Sequence, residues 1–248
     1  MTTWRRVASL TPDERLDVLA LLQRLDVLHG REALDEQRRR VILHAGAADH
    51  WLRIDGDQLL GYAQVQSTVL GATLEMAGGG FDDALAHDVL DCYPDLEWWL
   101  RGPEVPPTAG PVVRTLNFMT GPLRLDAPPL PDGVRVDVFD PERDSASWLA
   151  HNNEAFAAHP EQGAWAPDDL ALRLRERWFD PTGFLLFRRD DDLLASCWTK
   201  IHELHPERLG EIYVIAVSPR ARGLGLGRLA VCHGLASLAK RGAGRGSL

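Results

Sequence analysis

Residues 211–228 read Glu211-Ile-Tyr-Val-Ile-Ala-Val-Ser-Pro219 and continue as Arg220-Ala-Arg-Gly-Leu-Gly-Leu-Gly-Arg228. The first part is an apolar, β-rich run that predicts a strand ending at Ser218. The glycines at 223, 225 and 227 then lead into an amphipathic pattern that predicts a helix. Glycine lets backbone N–H groups converge without Cβ clashes, and a helix N-terminus carries partial positive charge. The strand, loop and helix therefore predict a seat for a pyrophosphate, to which Arg222 and Arg228 add positive charge.

Two other phosphate-binding loops are excluded by the same residues. The dinucleotide fingerprint G-x-G-x-x-G fails because Arg228 takes the place of its last glycine, and no G-K-[ST] follows for a nucleoside-triphosphate loop. A glycine-rich turn that merely joins a strand to a helix is a further reading. The ordered set, however, is V-x-P followed by R-x-x-G-x-G, at Val217, Pro219, Arg222, Gly225 and Gly227. This set resembles the acetyl-CoA signature of the GCN5-related N-acetyltransferases.

That resemblance implies how acetyl-CoA would be held as the co-substrate. In this family the strand before the loop splays from its neighbour, and its exposed N–H and C=O groups pair with the pantetheine arm as an extra strand would. The residues in that place are Ile215, Ala216 and Val217. The diphosphate is expected on the loop residues Arg222, Gly223, Leu224, Gly225, Leu226, Gly227 and Arg228. A neutral amine attacks the acetyl thioester directly, so the chemistry requires neither a metal nor a covalent enzyme intermediate.

The rest of the chain predicts two layered domains in tandem. The segment Leu125-Asp-Ala-Pro-Pro-Leu-Pro-Asp-Gly133 is rich in proline and has no periodic pattern. We therefore predict an N-terminal domain at 1–125, a linker at 126–133 and a C-terminal domain at 134–248. The order of elements repeats, with Leu59-Leu-Gly-Tyr-Ala63 and Leu193-Leu-Ala-Ser-Cys197 in the same place. A meander of strands with paired helices after the first strand predicts an α/β (α+β layered) fold with mixed, mainly antiparallel sheets, used twice.

Hydrophobic periodicity and turn residues place the individual elements. The predicted strands lie at 4–9, 50–54, 59–67, 72–77, 96–100, 112–118, 134–139, 183–188, 193–202 and 210–217. The predicted helices lie at 12–28, 33–44, 81–90, 144–157, 167–178 and 225–240. The last residues, Lys240-Arg-Gly-Ala-Gly-Arg-Gly-Ser-Leu248, contain no apolar strand, so the second domain is expected to be incomplete.

Six short segments make the resemblance narrower. They are Asp35-Glu-Gln37, His159-Pro-Glu-Gln-Gly163, Trp178-Phe-Asp-Pro181, Gly183-Phe-Leu-Leu186, Trp198-Thr-Lys200 and Gly210-Glu-Ile-Tyr-Val214. These segments look like the mycothiol synthase family, whose tandem-domain members acetylate the cysteinyl amine of desacetylmycothiol in the last step of mycothiol biosynthesis. The resemblance implies that Glu161, Lys200 and Glu211 contact the acceptor from the C-terminal domain. It implies that Glu36 reaches the acceptor from the N-terminal domain.

These residue types suit a sugar-linked amine. Carboxylates accept hydrogen bonds from hydroxyls and attract an ammonium, and Lys200 can donate to oxygen atoms. We expect Glu211 to be the general base, directly or through water, since the ammonium must lose a proton before it attacks.

Each of these residues also has a purely structural interpretation. Glu161 follows a helix end and Glu211 is a solvated strand end. Lys200 guards an edge strand, and Glu36 joins a helical charge cluster with the arginines that follow it.

Composition narrows the class of protein. Lys plus Arg is 27 and Asp plus Glu is 36, and the resulting net charge of −9 disfavours a nucleic-acid partner. The three cysteines have no metal-like spacing, and His202-Glu-Leu-His205 lacks the H-E-x-x-H spacing, so no metal is expected. Cys197 and Cys232 are expected to be packing residues. No run has the length of a membrane span and the start lacks a signal core, so we expect a cytoplasmic protein. The resemblance implies that it is an enzyme with a small-molecule amine partner, and we expect a monomer.

Two features depart from the family pattern. Between Ala77 and Phe81 the chain has only Gly78-Gly-Gly80, without V-x-P or the arginine, so the first cofactor seat is expected to be degenerate and its domain structural and substrate-covering. The elements expected after Lys240 would form the second wall of the CoA groove. One alternative is therefore a defective, truncated homologue that only binds acyl-CoA. The other is an N-acetyltransferase for another small amine or a peptide N-terminus.

Overall fold

The computed structural model describes residues 3–68, 71–80, 83–100, 110–159, 165–202 and 208–248. The chain divides into two compact units, Met1–Thr115 and Leu116–Leu248. This division comes earlier than the predicted linker at 126–133, because Thr120–Pro122 already forms a strand of the second sheet. The predicted linker is also tied to the second unit, since His233 donates a hydrogen bond to the carbonyl oxygen of Pro128 at 2.9 Å.

The first unit is a mixed sheet with helices packed on it. Its elements are β1 (Thr3–Val7), α1 (Pro12–His29), α2 (Glu36–His44), β2 (Asp49–Asp55), β3 (Gln58–Thr68), β4 (Gly71–Gly78), α3 (Asp83–Cys92) and β5 (Leu96–Trp99). The strand order is β1-β2-β3-β4-β5, and β4 and β5 run parallel. A capping box starts α1, because the Thr11 hydroxyl accepts from the N–H of Glu14 and the Glu14 carboxylate accepts from the N–H of Thr11. Leu22 of α1 and Tyr62 of the sheet belong to the same buried cluster.

The second unit repeats this plan. Its elements are β6 (Thr120–Pro122), β7 (Val134–Val138), α4 (Pro141–Ala155), α5 (Pro167–Leu174), β8 (Phe184–Arg189), β9 (Asp192–His202), β10 (Leu209–Val217), α6 (Leu226–Lys240) and β11 (Arg245–Ser247). The strand order is β6-β11-β10-β9-β8-β7, in which β10 and β11 run parallel and the other neighbours antiparallel. Two mixed, mainly antiparallel sheets with paired helices after the first long strand confirm the predicted fold class.

The predicted strand at 112–118 is wrong. Residues 110–119 form no strand, and a strand begins only at Thr120. The apolar side chains that suggested it are exposed, among them Val113 at 76%. A strand needs a neighbouring backbone edge to pair with, and apolar residues alone do not supply one.

The expectation that no strand follows α6 is also wrong. Arg245–Ser247 forms β11, which pairs with β10 on one side and with β6 on the other. Small residues suffice here because the strand is held through its backbone in a narrow space. A Cβ on Gly246 would lie 2.7 Å from Leu123 and 2.9 Å from Leu235. The Ser247 hydroxyl adds a hydrogen bond to the Gly210 carbonyl at 3.1 Å.

Both faces of the second sheet are buried. One face carries α6, and the residues buried there include Cys197, Ile201, Ile212, Leu226, Ala230 and Leu238. The other face carries α4 and α5, and its buried residues are Phe139, Trp148, Leu170, Phe184, Leu186, Trp198 and Val214. Successive residues of a strand point to opposite faces, so sequence parity decides which helices a side chain of β9 or β10 meets.

Gly234 lies where α6 approaches the sheet closely. A Cβ there would lie 2.4 Å from the Sγ of Cys197 and 2.8 Å from the Cδ1 of Ile212. We expect Gly234→Ala to lower the free energy of unfolding by about 1–3 kcal/mol, because helix and sheet must move apart to admit the methyl group. The matched control is Gly227→Ala on the same helix, whose Cβ would meet Val217 at 3.6 Å. Urea titrations that find both variants equally stable would contradict this packing argument.

Candidate active site

β10 has a neighbour on both sides only over its first residues. β9 pairs with it from Leu209 to Val217, whereas β11 pairs only with Leu209–Glu211. Among the residues that the structure describes, no strand pairs with the rest of β10 on the β11 side. The second half of β10 therefore presents an open backbone edge that leads into the glycine loop.

The ladder with β9 shows which backbone groups lie at that edge. The N–H of Ser218 donates to the carbonyl of Leu194 at 2.9 Å, so this pair faces inward. Hydrogen-bonded and non-hydrogen-bonded pairs alternate in an antiparallel ladder, so the polar backbone groups of Ala216 also face β9. Those of Ile215 and Val217 face the open side. An extended ligand could pair with these two residues as an added strand would.

A β-bulge interrupts β10 just after Glu211. The pairing with β9 shifts between Ile212 and Val214, which leaves Tyr213 as the extra residue. Ile212 packs on the α6 face, whereas Tyr213 and Val214 both belong to the cluster under α4 and α5. Because neighbouring strand residues alternate, Glu211 lies on the same face as Tyr213.

Glu211 pairs with a histidine of the adjacent strand. Its Oε2 lies 2.7 Å from the Nε2 of His202, the last residue of β9. The Glu211 side chain is 31% exposed. Within the described part of the chain its Oε1 has no protein partner, so one carboxylate oxygen remains open to a group that arrives from solvent.

Lys200 is buried beside Glu211. The register places the two residues directly opposite each other on β9 and β10. The Lys200 side chain points into an aromatic layer, where its Nζ lies 5.0 Å from the ring centre of Trp178 and 5.8 Å from that of Tyr213. Lys200 is 4% exposed and β9 lies between β8 and β10, so the reading of Lys200 as an edge-strand guard is wrong.

An arginine of α5 fixes the tyrosine at the bulge. The Nε of Arg173 donates to the hydroxyl of Tyr213 at 3.0 Å, and its guanidinium lies 3.8 Å from the ring centre of Trp165. Trp178 packs edge-on against Tyr213 at 4.9 Å between centroids. Sequence reasoning missed both Arg173 and the pairing of His202 with Glu211, because each depends on which residues the sheet and the helices bring together.

The backbone of the glycine loop leaves its N–H donors without partners among the described residues. Gly223 has a φ of +84° and Gly225 a φ of +73°, a backbone region that favours glycine. None of the N–H groups from Gly223 to Arg228 has a hydrogen-bond partner in the described residues, and α6 has no side-chain cap at Gly225. These donors therefore remain available to a bound anion.

Charge at the loop favours an anion as well. Arg222 and Arg228 are exposed on either side of the glycines. The first turn of α6 contains no acidic residue, so nothing in that turn opposes the positive end of the helix dipole. The loop can bind a diphosphate through its backbone and these two guanidinium groups.

Of the other two predicted acceptor residues, one lies in the first unit and one lies outside the described residues. Glu36 is the first residue of α2 in the first unit, and its carboxylate lies 3.2 Å from Arg40, one turn further along. This ion pair within one helix agrees with the alternative interpretation of Glu36 as part of a helical charge cluster. Glu161 lies outside the described residues, as do Glu203 and His205 of the histidine-containing segment.

The buried thiol of the second sheet lies on the face that carries α6, away from Glu211. Burial raises the pKa of the Cys197 thiol to about 12, so this thiol stays protonated and unreactive. In the residues that the structure describes, no group of three or more histidine, cysteine, aspartate or glutamate side chains is arranged to hold a metal ion. The helices of the described chain include none that combines the length and the apolarity of a membrane span.

A cavity of about 680 Å³ lies elsewhere in the second unit. It is lined by charged residues of β7, α4 and β8, among them Arg135, Asp137, Arg143, Asp144 and Arg188. These charges neutralise one another. Burial opposes the ionisation of Asp144, but hydrogen bonds from Arg143 and from the N–H of Asp140 outweigh it and hold the Asp144 pKa below its ordinary value. We regard this cluster as an ion network at the protein surface, in which Asp144 is the buried member.

Comparison with known proteins places the chain among acetyltransferases. The model of the Acetyltransferase (GNAT) family matches residues 146–248. The chain is 38% identical to the mycothiol acetyltransferase of Thermobispora bispora over 252 residues, which cover 94% of this chain and 85% of that protein. It is 38% identical to the mycothiol acetyltransferase of Streptomyces coelicolor over 257 residues, covering 95% and 82%.

Solved structures show the same fold. A GCN5-related N-acetyltransferase from Sphaerobacter thermophilus superposes with a TM-score of 0.61 at 16% identity, covering 99% of this chain and 85% of that one. A tandem GNAT protein from the clavulanic acid biosynthesis pathway also gives 0.61 at 15% identity, covering 99% and 90%. The likeness extends over both units of the chain.

Proposed function

The chain belongs to the mycothiol acetyltransferase family of GCN5-related N-acetyltransferases, and we propose that it transfers the acetyl group of acetyl-CoA to the cysteinyl amine of desacetylmycothiol. That the chain is an acyltransferase follows from the family. The proposal concerns the two substrates and the residues that hold them.

One observation carries the proposal: a single strand joins a carboxylate to an anion seat. Glu211 lies near the start of β10, and the strand runs from there into the loop at Gly223–Gly227. A strand rises about 3.3 Å per residue, so Glu211 and the end of β10 are roughly 20 Å apart. A long thioester such as acetyl-CoA suits this arrangement. Its diphosphate would lie on the loop, its arm along Ile215 and Val217, and its acetyl group towards Glu211.

The residues of the site suit a cationic acceptor. The open Oε1 of Glu211 accepts from the ammonium of the substrate and takes its proton. The freed amine nitrogen attacks the thioester carbonyl and a C–N bond forms. The C–S bond then breaks, CoA leaves as the thiolate, and the second proton that the nitrogen loses neutralises this thiolate through solvent. Lys200, Glu161 and Glu36 are proposed to bind the hydroxyls of the acceptor.

The first unit is proposed to bind acceptor without catalysing transfer. Counted from the matched Leu59 and Leu193, Gln66 takes the place of Lys200, and its partner Thr73 takes the place of Glu211. The hydroxyl of Thr73 accepts a hydrogen bond from the buried Arg38 at 2.7 Å. No carboxylate is present at this position, and Asp83 in the first turn of α3 disfavours a phosphate there.

The test is a product assay with competing acceptors. We expect the purified chain to convert acetyl-CoA and the cysteinyl glucosaminyl inositol amine into the N-acetyl product, as detected by mass spectrometry. A parallel reaction with a peptide that has a free N-terminal cysteine is expected to have a lower kcat/KM. Faster transfer to the peptide, or no transfer to the pseudodisaccharide, would overturn the proposed acceptor.

A further inference from the structure

His202 contacts Glu211 but has no role in the proposed reaction as described above. It ends β9 on the face of α4 and α5, and its side chain is 17% exposed. Its Nε2 lies 2.7 Å from the Oε2 of Glu211 on the next strand. The contact crosses the β9–β10 ladder diagonally, because the residue directly opposite Glu211 is Lys200.

The chemistry of the two groups sets the direction of this bond. An ionised carboxylate only accepts hydrogen bonds, so the Nε2 of His202 must carry the proton and donate it. The bond therefore selects one tautomer of the imidazole and one orientation of the carboxylate. It engages Oε2 and leaves Oε1 without a partner among the described residues. A base oriented by a third group is the recurrent arrangement of active-site pairs.

We propose that His202 is a positioning residue, which holds the carboxylate of Glu211 so that its free oxygen meets the acceptor ammonium. This inference rests on the proposed function, because it takes Glu211 as the base. Lys200 does not perform this task in the structure, since its Nζ lies among the rings of Trp178 and Tyr213. A neutral imidazole donates this hydrogen bond without neutralising the carboxylate, so Glu211 still attracts an ammonium.

A pair of variants separates positioning from packing. His202→Leu removes the donor, and we expect kcat to fall about 10- to 100-fold, because a carboxylate that is misplaced by an ångström loses much of its effect. The KM for acetyl-CoA should stay unchanged, since the loop is untouched. His202→Gln keeps an N–H donor close to the place of Nε2 and should recover most of the lost kcat. Equal losses in both variants at unchanged thermal stability would overturn the inference.

A second readout does not depend on turnover. The ¹⁵N resonances of the imidazole, assigned by their loss in His202→Gln, report the tautomer directly. We expect the Nε2–H form in the wild-type chain and a shift towards a mixture of tautomers in Glu211→Ala. An Nδ1–H form in the wild type would overturn the inference even if the chain acetylates its acceptor. Failure to acetylate the pseudodisaccharide, with the Nε2–H form present, would overturn the proposed acceptor and leave the pair standing.

Discussion

Glu211→Gln is expected to lower kcat for acetyl transfer by about 10²- to 10⁴-fold, the range that a general base contributes. Glutamine keeps the size of the side chain and can still accept the hydrogen bond from His202. It loses the ability to take a proton from the ammonium. The KM for acetyl-CoA should change little, because the open edge and the loop lie further along the chain. Steady-state kinetics with both substrates varied provide the measurement.

The control for this variant is a carboxylate outside the site. Glu142 is exposed in the first turn of α4, and Glu142→Gln should leave kcat within about twofold of wild type. The proposed role of Glu211 would be wrong if its variant kept the wild-type kcat, or if the loss appeared only as a higher KM for acetyl-CoA.

The pH dependence of kcat, compared between the wild type and Glu211→Gln, gives an independent check. An α-amino group has a pKa of about 7.7–8.0, so the acceptor is largely an ammonium at neutral pH and largely a neutral amine above about pH 9. A base is needed for the ammonium and not for the neutral amine. We therefore expect the deficit of Glu211→Gln to shrink as pH rises through that range. A deficit that stays constant from pH 7 to 9 would indicate that Glu211 acts by binding instead.

The local part of the site can be predicted from sequence. The strand that ends near Ser218 and the helix that starts near Leu226 follow from short-range patterns, namely an apolar run, two glycines that require positive φ, and helical periodicity. Phosphate binding at such a loop depends on backbone N–H groups, which are set by the same few residues. For the same reason the fold class follows from the order of the elements.

The rest of the site depends on contacts between distant residues. Strand register decides that His202 meets Glu211, and the bulge at Tyr213 decides which of its neighbours share a face. Neither feature has a local signature, so from sequence His202 reads only as part of a histidine motif with the wrong spacing for zinc. The sequence pattern does not predict β11, for a related reason. Its glycine and serine are held by backbone pairing on both sides, and hydrophobic patterns do not report such pairing.

The second large effect is expected at the loop. Gly225→Val should raise the KM for acetyl-CoA about 5- to 30-fold and leave kcat nearly unchanged. Gly225 has a φ of +73°, and a β-branched residue strongly disfavours that region, so the loop must rearrange. The cost of about 1–2 kcal/mol corresponds to a roughly 5- to 30-fold loss of affinity if the N–H groups no longer converge. No heavy atom lies within 4 Å of the Cβ position, so a clash in the free protein does not contribute.

Gly133 offers a control with the same backbone conformation. Its φ is also +73°, and the nearest atom to its Cβ position is 3.9 Å away, in the side chain of Arg189. Gly133→Val therefore imposes a similar strain at a turn outside the loop. We expect it to lower stability without changing the KM for acetyl-CoA. Equal changes in KM for both variants would show that general destabilisation, and not loss of the anion seat, explains the effect.

A truncated donor tests whether the lost affinity belongs to the diphosphate. S-acetylpantetheine has the thioester and the arm of acetyl-CoA but no diphosphate, so it gains nothing from the N–H groups of Gly223–Arg228. The wild-type chain should use it with a much lower kcat/KM than acetyl-CoA, and Gly225→Val should use it as well as the wild type does. If the variant instead lost the same factor with both donors, the loop would act on the arm or the acetyl group. The distance along β10 from loop to Glu211 would then no longer explain how the thioester is placed.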